Sequence, residues 1–344
     1  GLLFASHVVG VQRDFIVTMF HSSHVSSVAG GRYNVLLLGG DSGADRWGLR
    51  PDSMTVASID ANTGKTVLFG LPRNMLNFPF AKGSIMDKQF PHGFNCGGSC
   101  ELNSLVTWSA NHKSLFAGLP DPGVEATKEA VEGITALKIN YYAFVNLMGF
   151  RKLVEAVGGV TLNVRDRIPI GGIGAPISGY IQPGVRKLNG FQTLWFARSR
   201  VAADDYSRMA RQKCVMNAML QQLSPQTVVL KFDAIAKASE QLVSTNIPAS
   251  EVDRFMQLAL KARSQPIATV SFVPPLVNTS HPDVAKIKAM VAAALHRSEG
   301  KSTGHKRRPH PRGTKNAVGT VGGSIGNMTS GYAANQATNL SAAC

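Results

Sequence analysis

The sequence lacks the patterns that would assign it at once to several common classes of protein. No apolar run approaches the roughly eighteen residues that a membrane-spanning helix requires. Residues 2–20 carry Arg13 and Asp14 inside their apolar pattern and have no basic start, which is unlike a signal peptide. The nine histidines show no metal-ligand spacing, no serine elbow motif is present, and no segment repeats. These absences leave a globular domain as the expected form.

Acidic residues are scarce relative to basic ones, with 21 Asp and Glu against 36 Lys and Arg and a net charge of +15. Residues 297–315 hold seven of the basic residues and one acid. No helix-turn-helix, zinc-finger or single-strand-binding pattern accompanies this charge, and no aromatic ladder alternates with the basic residues. We therefore expect a polyanion other than nucleic acid as the partner, such as a phosphorylated lipid, a teichoic-type polymer or an anionic membrane surface.

The sequence has only four cysteines. Cys96 and Cys100 lie in a glycine-rich loop with no companion ligand at zinc spacing, which favours a local disulfide over two free thiols. Cys214 lies on a predicted helix, where buried packing is its expected role. Cys344 has two candidate partners, Cys214 or a residue beyond the given sequence. The local pair indicates an oxidising compartment.

The alternation of predicted strands and helices indicates one α/β (α+β) domain over residues 31–297. Residues 1–30 are expected to form a membrane-proximal helix or linker, and residues 298–344 a disordered basic tail rich in Gly, Ser and Asn. Strands are predicted near residues 33–39, 53–60, 65–71, 141–145, 160–165 and 269–273. Helices are predicted near residues 101–117, 123–136, 146–157, 189–197, 204–222, 228–243, 250–263 and 282–296.

The densest cluster of charge is the segment 198–212, which reads RSRVAADDYSRMARQ. It holds four arginines, two aspartates and a glutamine within fifteen residues. An arginine guanidinium stays ionised and presents a planar set of donors that matches phosphate oxygens two at a time. The segment therefore predicts a site for a multiply charged anion. A solvated helix face is the alternative, which applies most to Arg208, because Arg198 and Arg200 end an apolar segment and are expected at a sheet edge.

A second set of charged residues follows predicted strands earlier in the chain. The apolar strand 33–38 is followed by two glycines and Asp41, Arg50 and Asp52 flank a proline, and Arg73 follows the third strand. Ligand-binding groups on an α/β sheet are expected at strand ends. Asp41 and Asp52 suit a hard cation that also takes phosphate oxygens. Alternatively, Asp41 caps a turn, and Asp52 caps a strand or pairs with Arg50.

These segments follow the order typical of the LytR-CpsA-Psr family of bacterial cell-wall enzymes, which the chain resembles from about Tyr33 to about Leu223. The resemblance rests on the strand that ends at Asp41, Arg50-x-Asp52, Leu-Pro-Arg73, the segment 150–160, the turn 184–190 and the block 197–212. The segments 86–96 and 194–198 resemble the actinobacterial branch. The resemblance implies a single domain with a central mixed sheet flanked by helices.

The resemblance also implies an activity, which is that of a phosphotransferase. It would ligate a glycopolymer from a polyprenyl-pyrophosphate carrier to peptidoglycan through a phosphodiester, and for the actinobacterial branch the glycopolymer would be arabinogalactan. Mg²⁺ as cofactor, a transmembrane anchor before the given sequence, and a place on the extracytoplasmic face of the cell membrane are implied in the same way. Two alternatives are a hydrolase of the same pyrophosphate and a non-catalytic lipid-binding or regulatory module.

Individual residues take roles through this resemblance. Asp41 and Asp52 match the Mg²⁺ ligands, and together with Arg50 and Arg73 they form the expected catalytic set, with Asp52 or Asp41 as the candidate proton acceptor. The residues that match the pyrophosphate-binding positions are Arg50, Arg73, Arg198, Arg200, Asp205, Arg208, Arg211 and Gln212. Asp205 alternatively anchors an arginine by an ion pair.

Three apolar segments, 102–108, 142–150 and 215–220, offer Trp, Phe and Met side chains. By periodicity alone these segments are core. The resemblance suggests that they also wall a tunnel for the polyprenyl chain, whose burial would contribute roughly 25 cal/mol per Å².

Overall fold

A mixed β-sheet lies at the centre of the computed structural model, which describes residues 30–40, 51–172, 174–199, 205–239, 241–300 and 339–344. The strands in these residues are β1 (Arg32–Gly40), β2 (Pro51–Asp60), β3 (Thr66–Leu71), β4 (Tyr141–Asn146), β5 (Val160–Val164), β6 (Ile168–Ile170), β7 (Gly179–Ile181), β8 (Gly184–Leu188), β9 (Val243–Thr245) and β10 (Ala268–Ser271). Six of them form the main sheet in the order β10-β3-β2-β1-β4-β9, and the pairs β5-β8 and β6-β7 form two small sheets.

The α-helices of the same residues are α1 (Ile85–Gln89), α2 (Leu105–Ala110), α3 (Pro122–Thr135), α4 (Leu147–Ala156), α5 (Gly190–Arg198), α6 (Asp205–Gln222), α7 (Pro225–Ala238), α8 (Ala249–Arg263) and α9 (Val284–Ser298). Several begin at a side chain that caps their first turn, since Asn146 accepts from the Gly149 amide and Asn189 from the Gln192 amide. None of the described helices is long and apolar enough to cross a bilayer.

The directions of the strands bring several strand ends to one edge of the main sheet. β1 runs parallel to β4, whereas β2 is antiparallel to both β1 and β3. The ends of β1, β3 and β4 and the start of β2 therefore lie together. At this edge the pairing of β1 with β2 is irregular, because Gly39 faces Ser53 while Gly40 faces Pro51. Asp52 is the extra residue of this bulge, and a bulge changes the direction in which a side chain points.

The two faces of the main sheet are covered by different helices. Leu36 and Leu38 of β1 pack in the largest apolar cluster, which includes residues of α3 and α9. The alternate residues Val35 and Leu37 face the other side, where α6, α7 and α8 lie. This alternation is the expected result of the two-residue period of a strand.

The small sheets pack against the middle of α6. Val160, Leu162 and Ile168 share a buried cluster with Cys214 and Val215. These short strands carry the chain from α4 to α5, and both helices border the site described below.

The structure confirms the predicted α/β class and the central mixed sheet flanked by helices. The prediction of one helix over residues 101–117 is wrong, because only α2 is α-helical there, with 3-10 turns at Leu102–Ser104 and Lys113–Phe116. His112 stacks on Trp108 and its ring nitrogen contacts the Trp108 carbonyl oxygen, which competes with the helical hydrogen bonds. The short strands β6, β7, β8 and β9 and the one-turn helix α1 were not predicted.

The cysteines are paired as Cys96–Cys100 and Cys214–Cys344. The first pair confirms the predicted local disulfide. The second decides between the two candidate partners of Cys344, and Cys214 is also buried in an apolar cluster, as predicted.

The end of the chain also departs from the predicted disordered tail. Leu340 is buried against residues of α6, and its amide donates to the Ile267 carbonyl oxygen. The disulfide of Cys344 adds a covalent link to the same helix. Residues 339–344 are therefore part of the folded domain, whereas the predictions for residues 1–29 and 301–338 lie outside the described residues.

The contact between α4 and α5 yields a prediction about stability. At Gly190 an added methyl group would overlap the Arg151 carbonyl oxygen and the Glu155 side chain, whereas at Gly179 it would meet no atom within 4 Å. We expect Gly190→Ala to lower the free energy of unfolding by roughly 1–3 kcal/mol, because the helices must move apart. Gly179→Ala, the matched control, should change it by less than about 0.5 kcal/mol. Urea denaturation measures both, and equal effects would contradict the close helix contact.

Candidate functional site

Charged side chains gather at the sheet edge where β1, β3 and β4 end. A cavity of about 210 Å³ opens there. Its walls come from the end of β1, the start of β2, α4, α5 and α6, and its polar lining includes Asp52, Asn146, Arg198, Arg208 and Gln212. The structure thus brings residues from both sequence-predicted clusters to one place. Asp41, Arg50 and Arg200 lie outside the described residues.

Arg73 connects two aspartates that are far apart in sequence. Its Nη1 lies 2.6 Å from Asp52 Oδ1, and its Nη2 lies 3.1 Å from Asp205 Oδ1. Its Nε adds a bond of 3.2 Å to Asp205 Oδ2, so the contact with Asp205 is bidentate. Burial alone would lower the pKa of Arg73, but the charges of Asp205 and Asp52 raise it above its ordinary value. The pairs hold the start of α6 against the start of β2 and the end of β3.

Arg208 strengthens this arrangement from one turn further along α6. It is almost completely buried, and its guanidinium lies 3.9 Å from Asp52 Oδ2 and 3.5 Å from Asp205 Oδ1. The alternative of a solvated surface arginine is therefore wrong for Arg208. The alternative role of Asp205, which is to anchor an arginine by an ion pair, holds. Its carboxylate contacts both Arg73 and Arg208.

Arg198 and Gln212 also line the cavity, from the end of α5 and from α6. The Arg198 guanidinium carbon lies 4.7 Å from the centre of the Trp195 ring, which holds the cation at the end of α5. Gln212 donates to the Ala197 carbonyl oxygen at 3.3 Å. Both residues line the cavity, as a contact with a bound anion requires.

Arg211 occupies a different position from the one predicted. It is fully buried, does not line the cavity, and donates to the carbonyl oxygens of Phe196 and Ser199. These carbonyls belong to the C-terminal end of α5, where backbone acceptors lack helical partners. Arg211 thus fixes the end of the helix that carries Arg198, and its direct contact with pyrophosphate stays a prediction.

The charges of the described cluster leave it net positive, with Arg73, Arg198 and Arg208 against Asp52 and Asp205. Within the described ranges no group of three or more His, Cys, Asp or Glu side chains forms a metal cage. The residues nevertheless fit Mg²⁺, because this cation is commonly held by one or two carboxylates together with phosphate oxygens. Asp52 lines the cavity, and its Oδ2 lies 3.9 Å from Arg208, beyond hydrogen-bonding distance.

A larger apolar cavity of about 570 Å³ lies between the main sheet and helices α6, α7 and α8. It shares wall residues with the charged cavity, namely Gly39, Ser53, Val145, Phe150, Met216 and Met219. The two cavities therefore adjoin. Its other walls include Val228 and Phe232 of α7 and Phe255 and Met256 of α8, none of which the sequence analysis singled out.

Two of the three predicted tunnel walls border this apolar cavity. Residues of the segments 142–150 and 215–220 line it, including Ala143 and Met216. The segment 102–108 does not, because Leu102 and Leu105 are buried in the cluster on the opposite face of the sheet, and Trp108 packs against that cluster. For Leu102 and Leu105 the alternative of ordinary core packing holds.

Lys213 is a buried cation that sequence reasoning missed. Its ammonium nitrogen donates to Ser271 Oγ of β10, and the side chain lines a small cavity with Gln212 and Ser53. Burial lowers its pKa from 10.5 to about 8. Its position directly after Gln212 was the available signal, but a lysine among so many basic residues has no distinguishing pattern.

The fold and the site together define an α/β protein with an arginine-lined cavity that adjoins an apolar cavity. The chain belongs to the LytR_cpsA_psr family, whose model matches residues 12–291. The predicted family is therefore confirmed.

Two curated relatives illustrate the similarity. Biofilm regulatory protein A of Streptococcus mutans serotype c is 26% identical over 226 residues, covering 63% of this chain and 50% of the relative. The polyisoprenyl-teichoic acid–peptidoglycan teichoic acid transferase TagU of Oceanobacillus iheyensis is 31% identical over 215 residues, covering 61% of this chain and 55% of the relative. The chain spans about half the length of these relatives.

Solved structures agree on the fold. TagV of Bacillus subtilis superposes with a TM-score of 0.54 at 21% identity, covering 80% of this chain and 100% of that one. TagT bound to LIIa-WTA gives a TM-score of 0.56 at 17% identity, with 80% and 95% covered. At these identities the likeness shows a shared fold.

The buried position of Lys213 predicts a pH-dependent stability. Because its pKa of about 8 in the folded protein lies below its ordinary value of 10.5, protonation of Lys213 opposes folding below about pH 8. We expect Lys213→Met to exceed the wild type in free energy of unfolding by on the order of 1–3 kcal/mol at neutral pH. This difference in free energy of unfolding between Lys213→Met and the wild type should shrink between pH 8 and 10.5. In this range the buried amine of Lys213 is neutral, whereas the same amine in the unfolded chain is still protonated.

Denaturant titrations across this pH range measure the difference. Lys288→Met, at an exposed position of α9, is the matched control and should follow the wild-type curve. A Lys213→Met curve parallel to wild type at all pH values would contradict the buried cation.

Proposed function

We propose that this protein is a phosphotransferase that moves a glycopolymer from a polyprenyl-pyrophosphate carrier to peptidoglycan and leaves a phosphodiester link. The observation that carries the proposal is the junction of a charged cavity, lined by Asp52, Arg198 and Arg208, with an apolar cavity of about 570 Å³. A carrier of this kind has the same two parts, an anionic head and a long apolar chain.

The names of relatives support the same chemistry. TagU of Oceanobacillus iheyensis is named as a polyisoprenyl-teichoic acid–peptidoglycan teichoic acid transferase, and one structure of this fold holds TagT with LIIa-WTA. Because the chain spans about half the length of the curated relatives, the assignment of this activity to this chain is part of the proposal.

The arginines supply the main catalytic effect in this account. Phosphoryl transfer builds charge on phosphate oxygens, and fixed cations in a partly dehydrated site stabilise it. Arg198 and Arg208 line the charged cavity, whereas Arg73 sets the position of Asp52 at 2.6 Å. Asp52, with Asp41, would hold Mg²⁺, which would neutralise further charge on the phosphate oxygens.

The bonds and protons of the reaction balance without another reactant. A sugar hydroxyl of the acceptor attacks the phosphorus that bears the glycan, and the bond from this phosphorus to the bridging oxygen breaks. Polyprenyl phosphate leaves with the electron pair of that bond. The hydroxyl proton passes to a carboxylate, for which Asp52 or Asp41 is the candidate.

The finer identity of the substrate and the location follow from the sequence resemblance. We infer arabinogalactan as the glycopolymer, on the resemblance to the actinobacterial branch, and the extracytoplasmic face of the cell membrane as the location, reached through an anchor before the given sequence. The pairs Cys96–Cys100 and Cys214–Cys344 support an oxidising compartment.

One assay separates this function from its rivals. The protein is incubated with a lipid-pyrophosphate glycan, with and without peptidoglycan, and the products are identified by mass spectrometry. A glycan ligated to peptidoglycan supports the proposal. Free phosphoglycan in both reactions would identify a hydrolase, and unchanged substrate would identify a binding or regulatory module.

Arg198 tests the anion site directly. A charge-assisted hydrogen bond contributes about 1.5–3 kcal/mol, so Arg198→Ala should lower transfer by roughly ten- to a hundredfold. Arg198→Lys should not restore it, because an ammonium lacks the planar set of donors. Arg307→Ala with Arg308→Ala is the control for bulk charge and should leave turnover of a soluble short-chain substrate unchanged. Equal losses in the two sets would contradict a specific anion site.

Neighbouring residues of α8 test the apolar cavity. Ala259 lines it, whereas Leu260 does not and is 50% exposed. Because a large ring at position 259 would fill the space, Ala259→Trp should weaken binding of a long-chain lipid pyrophosphate at least tenfold and affect a short-chain analogue much less. Leu260→Trp should bind both as the wild type does. Mass spectrometry of co-purified lipid and titration calorimetry report the result, and undiminished long-chain binding to Ala259→Trp would contradict the lipid cavity.

A further inference from the structure

Exposed apolar side chains are concentrated in one part of the chain. In the described ranges, eight large hydrophobic side chains are exposed, and five of them lie within residues 148–191. They are Met148, Ile177, Tyr180, Val185 and Phe191. This part of the chain comprises α4, the small sheets and α5. Such a concentration is unusual for a surface that faces only water, and it often marks an interaction site.

Two of these residues, Met148 and Phe191, lie close to Arg151. We call these three residues the rim. Met148 and Arg151 are three residues apart on α4 and therefore lie on the same side of the helix. The Arg151 guanidinium carbon lies 5.2 Å from the centre of the Phe191 ring on α5. Met148 is 44% exposed and Phe191 is 37% exposed. The rim thus presents two apolar groups with a guanidinium between them, and this guanidinium is also ion-paired with Glu155 at 3.1 Å.

The rim lies on the two helices, α4 and α5, that wall the charged cavity. Leu147 and Phe150 of α4 line this cavity, and they flank Met148 in sequence. Leu194 of α5 also lines it and lies one helical turn after Phe191. The rim residues themselves are not among the lining residues, so they lie beside the site without forming it.

The charge around the rim has one predominant sign. Residues 147–198 contain seven basic side chains and two acidic ones, Glu155 and Asp166. The basic residues Lys152, Arg167, Arg186 and Lys187 are exposed. Arg167 stacks on Tyr180, with its guanidinium carbon 4.3 Å from the ring centre, which repeats the pairing of a cation with an exposed apolar group.

We propose that the rim is a docking surface for the anionic lipid headgroups of a bilayer, which it places beside the opening of the charged cavity. The inference rests on the proposed function in one respect, since a polyprenyl carrier lies in the membrane and must reach the apolar cavity. Aromatic and aliphatic groups enter the boundary between headgroups and acyl chains, while neighbouring arginines contact the phosphates. Each basic residue near an anionic surface raises the binding constant roughly fivefold.

A folded protein partner is less compatible with this surface. Protein interfaces have a dehydrated apolar centre surrounded by polar residues, whereas here cations alternate with apolar groups. A bilayer surface needs no shape complementarity and favours this mixture. Docking would let the carrier pass from the bilayer to the cavity without exposing its chain to water.

The test uses vesicles and no substrate. The chain is titrated with vesicles of phosphatidylglycerol and phosphatidylcholine in equal parts, and with vesicles of phosphatidylcholine alone. Met148→Ser with Phe191→Ser should weaken binding to the anionic vesicles by roughly tenfold or more. The matched control is Leu260→Ser with Leu276→Ser, which removes two side chains of similar exposure, 50% and 45%, elsewhere on the surface. This control should bind as the wild type does.

A second measurement separates rim docking from attraction by the basic segment 297–315. A polarity-sensitive dye is attached to Met148→Cys, and in a parallel sample to Leu260→Cys. The emission at position 148 should shift to the blue with anionic vesicles, because the rim enters the headgroup region, and the emission at position 260 should not. Equal binding losses in the two double variants, equal shifts at the two positions, or no shift at position 148 would each overturn the proposal.

Failure of this inference is distinguishable from failure of the proposed function. Turnover of a soluble short-chain lipid-pyrophosphate glycan should be the same for Met148→Ser with Phe191→Ser as for the wild type, since no cavity residue is changed. If the wild type lacks turnover, the proposed function fails and the vesicle results still decide the docking surface. If turnover persists and the vesicle results match those of the controls, only the docking surface is overturned.

Discussion

The position of Arg73 between Asp52 and Asp205 is the interaction on which the site depends. It joins the start of β2, the end of β3 and the start of α6, and its contact with Asp205 spans 132 residues in sequence. Both carboxylates are partly buried, so removal of one partner would leave an uncompensated charge, a far larger cost than loss of a surface ion pair. Arg208 shares both acids. The network thereby fixes the helix that carries Gln212 and one wall of the apolar cavity.

The same helix connects the charged cavity to the apolar cavity and to the end of the chain. Its first half supplies Arg208 and Arg211, its middle supplies Met216 and Met219 to the cavity, and Cys214 joins it to Cys344. Charged groups and apolar walls are therefore positioned by one rigid element. This rigidity favours tight binding of a ligand with both an anionic and an apolar part, because the protein loses little conformational entropy on binding.

The sequence predicted the elements with strong periodicity and the residues of both charged clusters. It could not predict that Arg211 turns to the end of α5, since the direction of a helical side chain depends on the neighbouring helix. The bulge at Asp52 and the short strands β6 to β9 depend on long-range pairing, which local pattern does not encode. The segment 102–108 had the apolar composition of a tunnel wall but lies on the opposite face of the sheet, and composition alone does not distinguish the two faces.

The most direct test of the account is a crystal structure with a non-transferable polyprenyl-pyrophosphate analogue. We expect the phosphates to lie between Asp52, Arg198 and Arg208, and the polyprenyl chain to lie between the main sheet and α6, α7 and α8. Arg211 should keep its contacts with Phe196 and Ser199. Phosphates bound away from this cluster, or a chain bound outside the apolar cavity, would contradict the central claim that one site holds both parts of the carrier.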